Sequence, residues 1–340
     1  MNWTRGISAS YYLATINPET WFDEESIKIT GGSIKKTVSG LRESATVHTV
    51  GKWPYSGEKW IRLYMIARQG AGSERVPLFT GLAISSSSQK GNLVNTTIEC
   101  YSVLSVIDDV LLPRGWYAPV GTNAVMLVRD LLSETTKAPV EIETVEEYPR
   151  IENEAIVADG GETYLSMIEK ILAAIEWRIK IGGDGKIYIL QMAKSESLTF
   201  DSLVNSVIDT NNEISIECDW KSCPNVFRAV LNDGYAIARD ESDDSPFSIQ
   251  NRGREIWAEE QNVALSDTET LSDYAIRRLN ELQQISVSTS YERRFVPDIY
   301  PSDIIRLNYP AQGLSGNYLI ASQDIELNYG ASVTEEVIKL

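Results

Sequence analysis

A chain of 340 residues is longer than one hydrophobic core usually serves, so two or three domains are expected. Hydrophobic residues at 43% and charged residues at 23% are those of an ordinary globular protein and exclude long disorder. With 31 basic against 48 acidic residues the formal charge is -17, which sets the surface against a phosphate backbone and excludes direct nucleic-acid binding unless basic groups cluster.

The opening stretch, "MNWTRGISASYYLATINPETWF", has no basic region followed by a continuous apolar run, so no secretory leader is expected. The longest apolar-rich segment, "YLSMIEKILAAIEW", is broken by Glu169 and Lys170, which argues against membrane insertion. A soluble protein made in the cytoplasm is the expectation. Cys100, Cys218 and Cys223 are odd in number and lack framework spacing, as suits reduced thiols. "CDWKSC" has neither a second cysteine pair nor a nearby histidine to complete a zinc site, and no cofactor is expected.

Residues 27–101 read as successive strands. "KWIRLYMIAR" sets Ile61, Leu63, Met65 and Ala67 on one face and Arg62 and Tyr64 on the other, and "QGAGSE" is a turn. "RVPLFTGLAI" and "LVNTTIECY" follow at hairpin spacing with "SSSSQKGN" between them. Pro77 cannot donate to a ladder, so it predicts an edge or a strand start. After Tyr101 the period becomes helical. "TNAVMLVRDLLSE" predicts a helix capped by Thr122, and "ETYLSMIEKILAAIEW" a second one with Tyr164, Leu165, Ile168, Ile171, Leu172 and Ile175 at helical spacing. "WRIKIGGDGKIYIL" is a hairpin with Trp177, Ile179, Ile181, Ile187 and Ile189 on one face and "GGDG" as its turn; no helix follows to make it a phosphate loop.

From Ile214, "ISIECDW" and "NVFRAVLNDGYAIARD" return to strand alternation. The loop "RDESDDSPFS" offers Asp240, Asp243 and Asp244 without the spacing of a calcium loop. "TLSDYAIRRLNELQQ" predicts a helix with Thr270 and Asp273 as capping box and Leu271, Tyr274, Ala275, Leu279 and Leu282 as its apolar stripe. "ISVSTSYERRF", "DIIRLNYP", "NYLIASQDIEL" and "SVTEEVIKL" close the chain as strands, punctuated by Pro297, Pro301 and Pro310. The fold class is therefore α+β and β-rich: a first β-barrel-like domain (1–105), an α/β middle domain (106–204) and a second β-barrel-like domain with an inserted helix (205–340).

No catalytic constellation emerges. His48, the only histidine, sits in strand-like "ESATVHTV" without a serine elbow or a carboxylate partner, so a structural or surface role is expected. The 48 carboxylates cannot be sorted into an acid–base pair by counting. Trp3, Trp21, Trp53 and Trp60 suit either a sugar platform or a core and interface, the second being the commoner fate. The segment "PVEIETVEEYPRIENEAIVADGGE" holds eight acidic residues against Arg150 alone. It is either a solvated linker or an electronegative lining that keeps a passing polyanion from sticking, with Glu141, Glu143, Glu146 and Glu147 as candidate channel-lining residues.

The order of these elements resembles the baseplate or tail-tip hub proteins of tailed bacteriophages and related contractile injection particles. The resemblance is carried by Leu78-Phe79-Thr80-Gly81 in the first barrel, by the Trp177 hairpin with its Asp184-Gly185 turn, and by the proline-rich approach to Asp303, where Ser302 stands at a position commonly glycine. It implies a homotrimer at the end of the tail tube, two barrels per chain, no intrinsic catalysis, and an adaptor role between a sixfold tube and a threefold spike. Implied partners are the tube protein, the central spike protein, the tape-measure protein and other baseplate proteins, with DNA passing through unbound. The implied location is the virion baseplate, assembled in the host cytoplasm. A carbohydrate-binding tail adhesin is the alternative, and a wall-degrading hydrolase the weakest reading.

Overall fold

The computed structural model describes residues 1–55, 57–90, 93–152, 154–192, 208, 214–232, 234–263, 265, 269–285, 287–309 and 314–340. The first part runs β1 (Ser8–Ile16), β2 (Asp23–Lys28), β3 (Gly31–Thr37), β4 (Glu43–Val50), β5 (Lys59–Gln69), β6 (Gly72–Lys90) and β7 (Leu93–Ser102). The middle part holds β8 (Tyr117–Ala118), the helix Ala124–Thr135, β9 (Val140–Ile142), β10 (Ile156–Val157), the helix Tyr164–Ala174, and the hairpin β11 (Trp177–Ile181) and β12 (Ile187–Gln191). The last part holds β13 (Ser215–Cys218), β14 (Val226–Leu231), β15 (Gly234–Arg239), β16 (Trp257–Gln261), the helix Leu271–Ile285, β17 (Val287–Arg294), β18 (Ile304–Tyr309), β19 (Leu314–Glu326) and β20 (Ser332–Lys339).

The two β units share one sheet. Twelve strands run in the order β13-β17-β20-β19-β3-β4-β7-β6-β5-β1-β2, with β18 added on β19. The seam is an antiparallel ladder joining Ser322–Glu326 of β19 to Ser33–Thr37 of β3. Leu13, Ile34, Val47, Leu63, Phe79 and Ile98, from six different strands, meet in the first core without a helix among its members. A sheet with no covering layer can bury its apolar face only by curling over it, which gives the barrel-like form. Among the described residues the ladders do not close into a ring. Tyr291, Ile305, Leu307, Tyr318, Ile320 and Val337 make the corresponding core of the last unit.

Local features follow from residue chemistry. Pro77 opposes Tyr64 of β5 next to a bulge, while β7 pairs with β6 only from Gly81 onward, so the proline lies on a free edge as expected. Gly81 is required because a Cβ there would lie 2.0 Å from the Tyr101 carbonyl oxygen and 2.8 Å from the Phe79 ring, which explains glycine as the last residue of the Leu-Phe-x-Gly run. Ser85–Lys90 continue β6 against β7 instead of forming a connecting loop, because ladder hydrogen bonds are indifferent to the side chains they carry. Gly91 and Asn92 lie outside the described residues.

In the middle unit the helices Ala124–Thr135 and Tyr164–Ala174 pack on the three-stranded sheet β11-β12-β9. Asn123, one residue beyond the expected Thr122, is the cap of the first: its side chain accepts from the Met126 amide at 3.0 Å. Thr163 caps the second in a reciprocal pair with Ser166.

The 205–340 region is more divided than its alternation suggested. Between β13 and β17, which pair with each other, the chain builds a separate sheet, β15-β14-β16, with the helix Leu271–Ile285 across it. Phe227, Ala229, Tyr274, Ala275 and Leu279 form its own core. The inserted element is thus a whole α/β layer. Alternation in "NVFRAVL" reports that one face is buried but not which element buries it. No described helix is long and apolar enough to cross a membrane.

Candidate functional site

The most densely organised polar region is the joint where the first, middle and last units meet, built around the turn 182–185. Only Gly185 needs a left-handed backbone there, at φ 80°. Gly183 is glycine for want of space: a Cβ on it would lie 2.1 Å from the Pro77 carbonyl oxygen and 2.6 Å from the carbonyl carbon. The turn is therefore pressed backbone to backbone against the free edge of β6.

Side chains of the first unit hold it in place. Thr80 Oγ1 donates to the Gly183 carbonyl at 2.8 Å, while Arg62 Nη2 and Trp21 Nε1 both donate to the Asp184 carbonyl, at 2.9 and 3.0 Å. Arg62 also donates through Nε to Thr80 Oγ1 at 3.1 Å and through Nη1 to Asp23 at 2.9 Å. Asp23 in turn accepts from Tyr64 Oη at 2.7 Å and from Arg75 at 2.5 Å, and the Arg75 guanidinium lies 3.7 Å from the Tyr64 ring centroid. Arg62 and Tyr64, on the face of β5 opposite the apolar stripe, are consequently buried. A charged side chain taken out of water requires such partners, and here the partners come from two units.

The last unit enters through the loop before β18. The Tyr300 ring receives two ammonium groups, Lys36 from β3 at 5.0 Å and Lys180 from β11 at 4.1 Å. Lys36 is paired with buried Glu43 at 2.8 Å. Asp303 takes Arg178 at 3.5 Å and Lys180 at 3.9 Å. Ser302 adopts φ 70°, the left-handed region that explains why glycine suits this position, and its hydroxyl accepts from Arg178 while its amide donates to the Ile320 carbonyl at 2.8 Å. Burial pushes the Glu43 carboxyl up, and Lys36 pulls it only part of the way back. Burial lowers Lys180 against the opposing pull of Asp303, and burial raises the Tyr300 hydroxyl, helped by Asp298 and Glu43. Beside this cluster lies a cleft of about 250 Å³ lined by Pro77, Lys180, Asp184, Tyr188, Asp298 and Tyr300.

What this arrangement does chemically is lock. Its donors and acceptors bind one another across unit boundaries. Sequence reasoning took the glycines of "GGDG" for turn formers and missed their close approach; the one available signal was a second and third glycine where a two-residue turn needs fewer.

The sequence-derived candidates lie elsewhere. Glu141 on β9 is exposed and paired with Lys186 at 2.7 Å, and Glu143 accepts from the Gln191 amide at 2.8 Å. Glu146 and Glu147 are exposed on the loop that follows. His48 is exposed on β4, 3.4 Å from Thr97 Oγ1. Trp53 is in the first core, Trp3 packs edge-on against Phe295, and Trp21 and Trp60 meet at the joint, so these rings do not form a sugar platform. Asp240 is occupied by Ser245 and Gln283. Among the described residues no group of three His, Cys, Asp or Glu side chains is placed to hold a metal ion. Burial pushes the Cys100 thiol up to about 12, outside the reactive range.

No family model matches the sequence, and no curated protein matches it. Solved structures resemble it over nearly its full length. The 43 kDa tail protein of prophage MuSo2 from Shewanella oneidensis has a TM-score of 0.67 at 13% identity, over 98% of this chain and 98% of that one. A tail protein from Neisseria meningitidis MC58 gives 0.69 at 10% identity, over 98% and 97%. In the half-lidded Francisella PdpA–VgrG complex the likeness covers 98% of this chain but 58% of the longer one, with a TM-score of 0.56 at 7% identity. The chain has the fold of phage tail proteins.

Proposed function

We propose that this chain is a structural hub of a phage-type tail, three copies forming a ring that adapts a sixfold tube to a threefold spike and leaves a passage for DNA. The observation that carries the reading is the correspondence in fold with two tail proteins along the length of both chains. The longer VgrG-complex chain, in which this fold is one part, fits a hub that stands next to a spike. Two further features support it. A continuous sheet runs through both β units, and the joint ties the middle unit to both of them. Such ties hold the three units of one subunit together, as a ring under load requires.

On this reading the chain has no catalytic activity, its partners are the tube, spike, tape-measure and other baseplate proteins, and it is assembled in the host cytoplasm. Its formal net charge of -17 lets DNA pass without sticking, and Glu141, Glu143, Glu146 and Glu147 border the passage. Cryo-electron microscopy of purified tails, reconstructed without imposed symmetry, tests the central claim. Three copies in a ring at the tube end support it. Six copies, or a location on peripheral fibres, overturn it.

A further inference from the structure

A smaller cavity at the joint, of about 20 Å³, lies where all three units converge. Arg42 and Glu43 border it from the start of β4, Ile179 and Ile181 from β11, and Tyr300 and Ser302 from the loop before β18. One water molecule needs roughly 10 to 15 Å³ and two to four polar partners, so a space of this size suits a single one. The walls leave one donor and one acceptor unused. Arg42 donates through Nη1 to the Val38 carbonyl and through Nη2 to Glu169 at 3.1 Å, but its buried Nε has no hydrogen-bond partner among the described residues. Glu43 takes Lys36 on Oε1 at 2.8 Å, while its Oε2, also buried, has none. The isoleucines cannot supply partners, and the lysines are already turned to Glu43, Asp303 and the Tyr300 ring. Buried polar groups in folded proteins are nearly always hydrogen-bonded, to protein or to ordered water.

The chemistry of the two atoms selects the ligand. Arg42 Nε can only donate, and an ionised Glu43 Oε2 can only accept. An anion would satisfy the first and face the carboxylate; a cation would satisfy the second and face Arg42, Lys36 and Lys180. A water molecule accepts from the one and donates to the other. Ser302 offers a third contact, because its hydroxyl accepts from Arg178 and keeps its own proton to donate. Burial pushes the Glu43 carboxyl up, and water serves the protonated form as well, accepting from its hydroxyl instead of donating to it.

We infer that this cavity is a binding site for one ordered water molecule, which hydrogen-bonds Arg42 Nε, Glu43 Oε2 and the Ser302 hydroxyl and so ties the first unit to the last. A bridge of this kind is nearly as good as a direct hydrogen bond, and it adds a contact between Glu43 and the loop before β18 that no side chain makes directly. The site does not depend on the hub reading, since every group that forms it belongs to one chain.

The experiment is a high-resolution crystal structure of the whole chain, with a second crystal soaked in bromide. The expected result is one isolated density peak at roughly 2.6 to 3.2 Å from both Arg42 Nε and Glu43 Oε2, fully occupied and without anomalous signal after the soak. Glu43→Met, which removes the acceptor at similar length, should abolish the peak. Glu43→Gln, which keeps polar atoms in place and removes only the charge, should retain it, and this variant decides the matter if the methionine variant does not fold. Arg42 Nε and Glu43 Oε2 bonded to protein groups with no peak between them overturns the inference. So does a bromide signal at the site, which would make it an anion site, or loss of the peak in Glu43→Gln, which would make its occupant a cation held by charge. A peak that survives Glu43→Met at full occupancy overturns the role given to Glu43.

Discussion

Gly183→Ala should loosen the joint more than any other single methyl addition in the middle unit's turn. The added carbon would lie 2.1 Å from the Pro77 carbonyl oxygen, 2.6 Å from its carbon and 3.0 Å from the Leu78 nitrogen, all backbone atoms of a strand that is itself held by β5. Restoring an ordinary separation moves the turn by about 1 Å. Three hydrogen bonds end on that turn, from Thr80, Arg62 and Trp21, at 2.8 to 3.0 Å. A shift of that size takes all three out of range, at roughly 1 to 2 kcal/mol each, so the expected loss is about 3 to 6 kcal/mol. Urea unfolding followed by far-ultraviolet circular dichroism measures it. Gly160→Ala is the control: nothing lies within 4 Å of its added carbon, and the expected change is within about 0.5 kcal/mol. If Gly183→Ala unfolds at the wild-type midpoint, the close-approach reasoning is wrong.

Three other outcomes are expected. Ser302→Gly and Ser302→Ala both lose the hydroxyl contact to Arg178, but only glycine is at ease at φ 70°, so the glycine variant should be roughly 1 kcal/mol the more stable in parallel thermal melts. In the last unit, burial pushes Glu335 up, but Arg293 at 2.6 Å, with Tyr291 and Gln323, outweighs burial and holds the carboxyl below its usual range. A depressed carboxyl stabilises above its unfolded pKa and loses that contribution as pH falls through the folded value. Glu335→Gln should therefore cost about 3 to 5 kcal/mol at neutral pH and flatten the acid side of a stability–pH curve. An unchanged acid limb would reassign that slope to other carboxylates. Replacing Glu141, Glu143, Glu146 and Glu147 by lysine should slow DNA delivery more than tail assembly; because Glu141 and Glu143 are already engaged, the Glu146→Lys, Glu147→Lys pair should carry most of the effect. Normal delivery from particles that assemble poorly would place these residues in an interface instead.

The sequence by itself determined the parts that depend on near neighbours. Alternation in "WRIKI" and "KIYIL" placed Trp177, Ile179, Ile181, Ile187 and Ile189 in a buried hairpin face, and Thr270 with Asp273 announced the start of the late helix. Both work because a period of two or three and a half residues, or a cap three residues from its amide, is a local geometric fact. Only the tertiary structure decided what lies against each face. Arg62 and Tyr64 read as the outward side of a strand and are buried, Arg62 because a turn more than a hundred residues later takes its guanidinium and Tyr64 because Tyr12 and Arg75 pack on its ring. "NVFRAVL" read as part of a second barrel and belongs to a sheet of its own, while β3 and β19 join two units whose separation in sequence hides their seam. Pairing across such distances depends on shape and on charges meeting in space, as Lys36, Lys180 and Tyr300 do, and none of the three carries a trace of the others in its own stretch of chain.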